Sequence, residues 1–334
     1  MHRYRRHRSL TRPSPRAALP CLLLLGGCNG ISGSFTPASE AASNVSQLFW
    51  IMTFGGGLIW LAVIGLALYA SHLRPRQHEL GMVRLFLLGG GVTLPVIVLG
   101  ALLAFGLSLL AKPPPAAAGV RLEVIGERWW WRVVYHRNGE APVAVANEIR
   151  LPVGEPAELS LRTRDVIHSF WVPALAGKLD LIPGRINRMV VQPTRTGLFR
   201  GQCAEYCGTG HANMALYVEV MERGAFDGWL ERQALPARTP EDARRQHGKS
   251  VFFAQGCDLC HAIRGTAARG AAGPDLTHVG SRHSLAAGLL PPGEASLRRW
   301  IRRADALKPR ALMPSYPLAD DELDALAAYL DHLR

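Results

Sequence analysis

Two stretches of the chain, residues 48–70 and 85–111, contain no charged side chain. Each exceeds the about 20 helical residues that cross a ~30 Å hydrocarbon core, so the pattern predicts a two-helix transmembrane hairpin over residues 48–111. The connection carries Arg74, Arg76 and Arg84 against Glu79, which places it in the cytoplasm and returns the chain to the outer face. Trp50, Trp60 and Tyr69 are candidate interface anchors, with Trp60 near mid-span and better suited to packing on a neighbouring helix. Gly55-Gly56-Gly57 and Gly89-Gly90-Gly91 predict close helix approach or local kinks, and Pro95 a bend. A shorter apolar run, residues 17–25, follows six arginines and no acid; it reads as a secretory signal over residues 1–27. Residues 28–47 then form an outer segment.

After a Pro- and Ala-rich stretch at residues 112–119 the period changes. Short β-type runs at 120–125, 129–135, 143–151, 157–162, 188–192 and 215–220 alternate with Pro and Gly, predicting an antiparallel sandwich or barrel over residues 112–234. Residues 235–246 are polar, contain Pro236 and Pro240, and read as a linker. Residues 247–334 have helical spacing instead, clearest in Leu323, Leu326, Ala327 and Leu330.

The cysteines carry the candidate chemistry. Leu25-Gly26-Gly27-Cys28 resembles a bacterial lipoprotein signal, in which Cys28 becomes the lipidated first residue. In the β-rich region, Asp165-Val-Ile-His168-Ser-Phe-Trp-Val-Pro173 and Gly201-Gln-Cys203-Ala-Glu205-Tyr-Cys207-Gly-Thr-Gly-His211-Ala-Asn-Met214 supply possible ligands. Glycines at 201, 208 and 210 mark the second segment as a loop folding over a metal. Thiolates, imidazole and thioether form a soft set that favours copper over magnesium or calcium. A Cys203 to Cys207 disulfide and a four-ligand zinc site are the competing readings, although zinc sites seldom use Met. Farther on, Cys257-Asp-Leu-Cys260-His261 is the pattern of covalent c-type haem attachment, with His261 on the iron. A thioredoxin-like Cys-x-x-Cys competes with it, but the adjacent His, the secretory context and the lack of a βαβ pattern count against that.

The sequence Cys203-x-Glu205-x-Cys207-x3-His211-x2-Met214, preceded by His168-Ser-Phe-Trp-Val-Pro, resembles the copper A site of the cytochrome c oxidase subunit II family. The likeness extends through residues 178–187, Gly126-Glu-Arg-Trp129-Trp130-Trp131 and the helix hairpin. It implies a cupredoxin-like domain in which Cys203 and Cys207 bridge two coppers, His168 and His211 terminate the site, Met214 is a weak ligand and Glu205 ligates through its carbonyl. It further implies a magnesium ion, shared with subunit I, at the Glu205 carboxylate. Trp129 aligns with the family tryptophan that admits electrons; Trp130 and Trp131 read as packing residues.

Residues 247–334 resemble a class I cytochrome c. That resemblance makes Met313 the distal haem ligand and lines the proximal side with Gly273-Pro274-Asp275-Leu276. His278 and His283 are alternative ligands, otherwise surface residues. Arg298, Arg299, Arg302 and Arg303 around Trp300 suit a solvated face, haem propionates or an acidic partner.

The expectation is therefore a multidomain chain: a transmembrane hairpin, an all-β cupredoxin-like sandwich and an all-α cytochrome c domain. The implied function is that of the electron-accepting subunit of a bacterial haem-copper oxidase. Electrons would pass from the fused haem c to copper A and then to subunit I, where oxygen is reduced and protons are pumped. Subunit I, subunit III, membrane lipid and an upstream cytochrome c or bc complex are the implied partners. The alternatives are the small subunit of a copper A nitric oxide reductase and a membrane-tethered electron carrier; quinol oxidase subunits lack these copper ligands. One departure concerns the acid that in the family opens a proton path seven residues before a Pro. Leu88 stands there, and Glu79 is the nearest acid.

The formal charge of +12 first suggests a polyanion binder. Half of it, +6, lies in residues 1–27, and the rest is spread thinly over the chain. Nucleic acid is thereby excluded as the expected partner.

Overall fold

The computed structural model describes residues 30–73, 80–110 and 119–334. The signal at 1–27, Cys28, Arg74, Arg76, Glu79 and most of the 112–119 stretch lie outside the described residues.

Helices α1 (Glu40–Leu73) and α2 (Leu80–Leu109) are long and apolar enough to cross a membrane. The start of α1 is fixed to the β domain. Ser39 caps the helix by accepting the Ala42 N–H at 3.0 Å, while the neighbouring Ala38 N–H donates to the Ala174 carbonyl at 2.7 Å. The pitch of α2 widens to π over Leu85–Thr93, just before Pro95. Widening there absorbs the backbone bond that a proline cannot make. A Cβ at Gly55, Gly56, Gly57, Gly90 or Gly91 would meet nothing within 4 Å among the described residues, so of the two expectations, close approach or local kinks, no close approach is made there. Trp50, Trp60 and Tyr69 are exposed.

Ten strands follow: β1 (Val120–Glu127), β2 (Trp130–His136), β3 (Val143–Ala146), β4 (Glu148–Pro152), β5 (Ala157–Thr163), β6 (His168–Trp171), β7 (Leu179–Leu181), β8 (Asn187–Val191), β9 (Gly197–Cys203) and β10 (Ala215–Met221). They form two five-stranded sheets, β3-β2-β1-β5-β8 and β4-β10-β9-β6-β7. The sandwich is mixed and not purely antiparallel, because β1 pairs β5 and β4 pairs β10 in parallel. The single run expected over residues 143–151 breaks at Asn147, whose φ of 61° sends β3 and β4 to different sheets. Gly201, expected in a loop, sits inside β9. Between the sheets Trp131, Tyr135, Phe170, Leu122, Leu159 and Leu161 are fully buried. Helix α3 (Arg223–Ala234), which the sequence pattern did not reveal, closes one end with Phe226 and Trp229.

Three further helices build the C-terminal domain: α4 (Ala243–Ala254), α5 (Glu294–Leu307) and α6 (Asp320–His332). Helix α4 begins inside the predicted linker, capped by Asp242, which accepts the Arg245 N–H at 3.0 Å. Its Phe252 packs on Tyr329 of α6 with ring centroids 6.1 Å apart. Arg298 and Arg302 of α5 pair with Asp320 and Asp324 on α6, and Arg299 and Arg303 are exposed. The arginine run is therefore largely a solvated face that ties two helices together.

Candidate metal centre and haem cavity

Strands β6 and β9 are antiparallel neighbours that align Phe170 with Cys203. This register brings His168, at the start of β6, beside Cys203, at the end of β9. The chain then loops through residues 204–214 and returns along β10, so Cys207, His211 and Met214 close over the same point. His168, Cys203 and Cys207 form a buried group whose ligand atoms lie within 4.8 Å of one another. The two sulfurs are 3.8 Å apart and unbonded. His168 Nδ1 is 3.9 Å from Cys203 Sγ, His211 Nδ1 is 3.7 Å from Cys207 Sγ, and Met214 Sδ is 3.9 Å from Cys207 Sγ. Cys203 Sγ also lies 3.2 Å from the Glu205 carbonyl. All six predicted metal residues thus converge in one place.

The sequence reading assigned no role to Asp165. Its carboxylate meets His168 Nε2 at 2.8 Å, fixing the ring so that Nδ1 faces the sulfurs. Burial disfavours a charge on His168, but the Asp165 hydrogen bond and Cys203 outweigh it and push the imidazole up. The hydrogen bond from Cys207 holds the Cys203 thiol well below its ordinary range, and the same bond, reinforced by burial, pushes Cys207 up. One proton shared between two sulfurs is easily displaced by a cation. A Cβ at Gly126 would lie 2.6 Å from the His168 ring, so only glycine leaves room for this ligand.

A second cavity lies in the C-terminal domain. Cys257, Cys260, His261 and Met313 line it, together with Trp129 and Trp130 of the sandwich. His261 Nδ1 donates to the Pro274 carbonyl at 2.8 Å; that bond requires a proton on Nδ1 and leaves the unprotonated Nε2 lone pair free to bind a metal. Burial holds the His261 pKa down, which keeps the ring neutral, as an iron ligand must be. A Cβ at Gly273 would lie 2.5 Å from that ring. Met313 Sδ receives the Trp300 indole N–H at 3.1 Å. The donor set and cradle fit a covalently attached haem.

His278 and His283 do not line this cavity. His283 bonds Glu219 at 2.9 Å, and His278 lies buried in a small polar pocket with Glu148, Arg150, Asp275 and Arg282. Burial drives the His278 pKa from 6.5 to about 4. Between those values the unfolded chain binds more protons, so stability is present above pH 6.5 and is lost as pH falls toward 4, by about 2 kcal/mol after solvent screening. A His278→Gln protein should show a smaller drop in melting temperature than the wild type between pH 7 and 4.5; parallel curves would refute this.

The two sites meet at Trp129. It is 6% exposed. Its indole N–H donates to the Cys207 carbonyl at 2.8 Å, and a Cβ at Gly208 or Gly210 would fall 3.0 or 2.4 Å from its ring. Its own carbonyl accepts the Lys308 ammonium at 2.9 Å. Arg132 pairs with Glu127 at 2.6 Å and donates to the Ala271 carbonyl at 2.8 Å, bracing the loop that cradles His261. Thr209 of the copper loop donates to the Pro309 carbonyl at 3.3 Å.

Residues 137–221 match the family described as cytochrome c oxidase subunit II, periplasmic domain, and residues 246–334 match cytochrome c. Cytochrome c oxidase subunit 2 of Bacillus subtilis is 30% identical over 256 residues, covering 73% of this chain and 70% of the relative. This chain belongs to the cytochrome c oxidase subunit 2 family. The subunit 2 of Alkalihalophilus pseudofirmus is 37% identical over 227 residues, and that match spans 67% of this chain and 65% of the relative. Among solved structures, the periplasmic domain of subunit II of cytochrome oxidase of Bradyrhizobium japonicum is similar, at 32% identity and a TM-score of 0.34, covering 36% of this chain and 96% of that one. The subunit 2 family implies copper A in the sandwich and the cytochrome c domain implies haem c. Two apolar helices before such a domain fit a membrane-anchored subunit.

Proposed function

We propose that this chain is subunit II of a bacterial haem-copper cytochrome c oxidase, with both redox domains on the outer side of the cell membrane. It receives electrons on its fused cytochrome domain and delivers them through the copper site to subunit I, for reduction of oxygen coupled to proton pumping. The observation that carries this reading is Trp129, which lines the haem cavity and bonds the copper loop at once.

The bound copper pair and haem supply one-electron carriers whose low reorganisation suits relay. Cys203, Cys207, His168, His211, Met214 and the Glu205 carbonyl would hold the copper pair, with the two thiolates supplying its soft, charged ligands. Burial of Cys203, Cys207, His168 and Met214 excludes water, and Asp165 keeps His168 from rotating. The Glu205 carboxylate accepts the N–H of exposed Tyr206 at 3.3 Å and would bind a magnesium ion shared with subunit I. Cys257 and Cys260 anchor the haem, His261 and Met313 hold its iron, and Cys28 carries lipid.

The test is the purified complex: about two coppers and one covalent haem per chain, with oxygen consumption driven by a reduced donor. Nitric oxide turnover without oxygen reduction would replace this reading with that of a nitric oxide reductase subunit. Zero copper in a folded, reduced sample would end it.

A further inference from the structure

The cavity holding Cys257, Cys260 and His261 is lined by three cations, Arg128, Arg282 and Lys308, and by no carboxylate. Two of the three have counter-charge nearby. Arg128 lies 3.6 Å from the Asp165 carboxylate, and Arg282 lies half-buried in the field of Glu148 and Asp275. Lys308 is different. It is 3% exposed, and among the described residues its partners are two neutral carbonyls, Trp129 at 2.9 Å and Ala286 at 2.8 Å. An ammonium offers three donors, so one remains free. Burying a cation without a carboxylate partner is costly, and burial pulls the Lys308 pKa down to about 7 against the smaller, opposing field of the Cys207 sulfur.

A lysine held this way is a poor structural choice unless the cavity's occupant brings the missing charge. A c-type haem does: its vinyl carbons are consumed by the two cysteines, and its two propionate carboxylates leave from the other half of the ring. We propose that Lys308 binds a haem propionate while donating to the Trp129 carbonyl, so that one ammonium joins the haem, the cytochrome domain and the copper-bearing domain. The assignment rests on the haem reading given above. Lys308 has this position because α5 ends just before it, at Leu307, and its backbone N–H still bonds the Ala304 carbonyl at 2.9 Å. The side chain projects from a fixed helix end across the domain boundary. Haem attachment then does more than fill the cytochrome fold: it supplies the counter-ion of an inter-domain contact.

The test uses the full chain with haem attached, in the wild type and in Lys308→Met, Lys308→Arg and the exposed control Arg299→Gln. Three readouts are needed: covalent haem content after denaturation, haem midpoint potential, and the deuterium sensitivity of the propionate-bending Raman band. Lys308→Met should keep covalent haem, lose the deuterium shift of that band and lower the potential, moving the redox equilibrium about tenfold toward oxidised haem because a nearby positive charge favours the reduced form. Lys308→Arg should restore both signals, and Arg299→Gln should change neither. If Lys308→Met matches the control in potential and band, the assignment is overturned. If Lys308→Met does not accumulate with haem, the other proteins decide: a deuterium-insensitive wild-type band overturns the proposal, and a sensitive band with normal haem content in Lys308→Arg supports it. Absence of covalent haem from the wild type would instead remove the haem reading itself.

Discussion

Cys207→Ser is expected to leave at most one copper per chain and to abolish delivery of electrons to the partner subunit. Cys207 Sγ is within 3.9 Å of Cys203 Sγ, His211 Nδ1 and Met214 Sδ, so one substitution breaks three of the contacts that define a two-metal site. A hydroxyl is a hard, neutral donor at working pH, whereas the thiolate is soft and charged. The remaining Cys203 and His168 can still hold one ion. Asp165→Asn provides the contrast: it leaves every ligand in place but removes the carboxylate that orients His168, and losses of metal affinity from such changes are about 10–100-fold, not complete. Metal analysis of the two proteins at saturating and limiting copper separates these outcomes. Two retained coppers in Cys207→Ser would contradict the assignment of Cys207 as a bridging ligand.

The parts of this design that were legible in the sequence are those whose physics is local. An uncharged run longer than a bilayer core announces α1 and α2, and Cys203, Cys207, His211 and Met214 fall within twelve residues. The strands that carry the ligands were not legible. β6 and β9 are short or glycine-bearing, because they spend side chains on the site and on close backbone approach, as Gly201 does against the Trp171 carbonyl, 2.8 Å from where its Cβ would stand, and the three-residue β7 is too short to show a period. Helix α3 was hidden by its short, mixed sequence. Asp165 had a faint signal, a carboxylate three residues before a ligand histidine. The domain interface had none: Lys308 meets Trp129 across 179 residues, and His283 meets Glu148 across 135. Such pairings follow from how two folded surfaces complement each other, which no periodicity encodes.

The second large effect is expected from a single methyl group. By helix propensity alone, Gly248→Ala in α4 should stabilise the C-terminal domain by about 1 kcal/mol. The helix crossing reverses that sign. A Cβ at Gly248 would lie 2.0 Å from the Ala325 carbonyl oxygen and 2.8 Å from Tyr329 Cβ, and the first of these is backbone, which cannot turn aside as a side chain tip can. Helices α4 and α6 must then separate, and the contact of Phe252 with Tyr329 and the packing of Val251, Leu326 and Leu330 around it loosen together. Overpacking of this kind costs about 1–3 kcal/mol where the neighbours can shift, and more where two main chains collide. A cost at or above the top of that range, less the propensity gain, leaves a net loss of about 2 kcal/mol or more, equivalent to a fall of ~8 °C or more in the melting temperature of a domain this size. Melting followed at the haem absorbance measures it, with the exposed Ser250→Ala on the same helix as the control. The sandwich has its own core, so copper content should survive in the variant. A melting temperature at or above that of the wild type would show that α4 and α6 do not meet at this glycine.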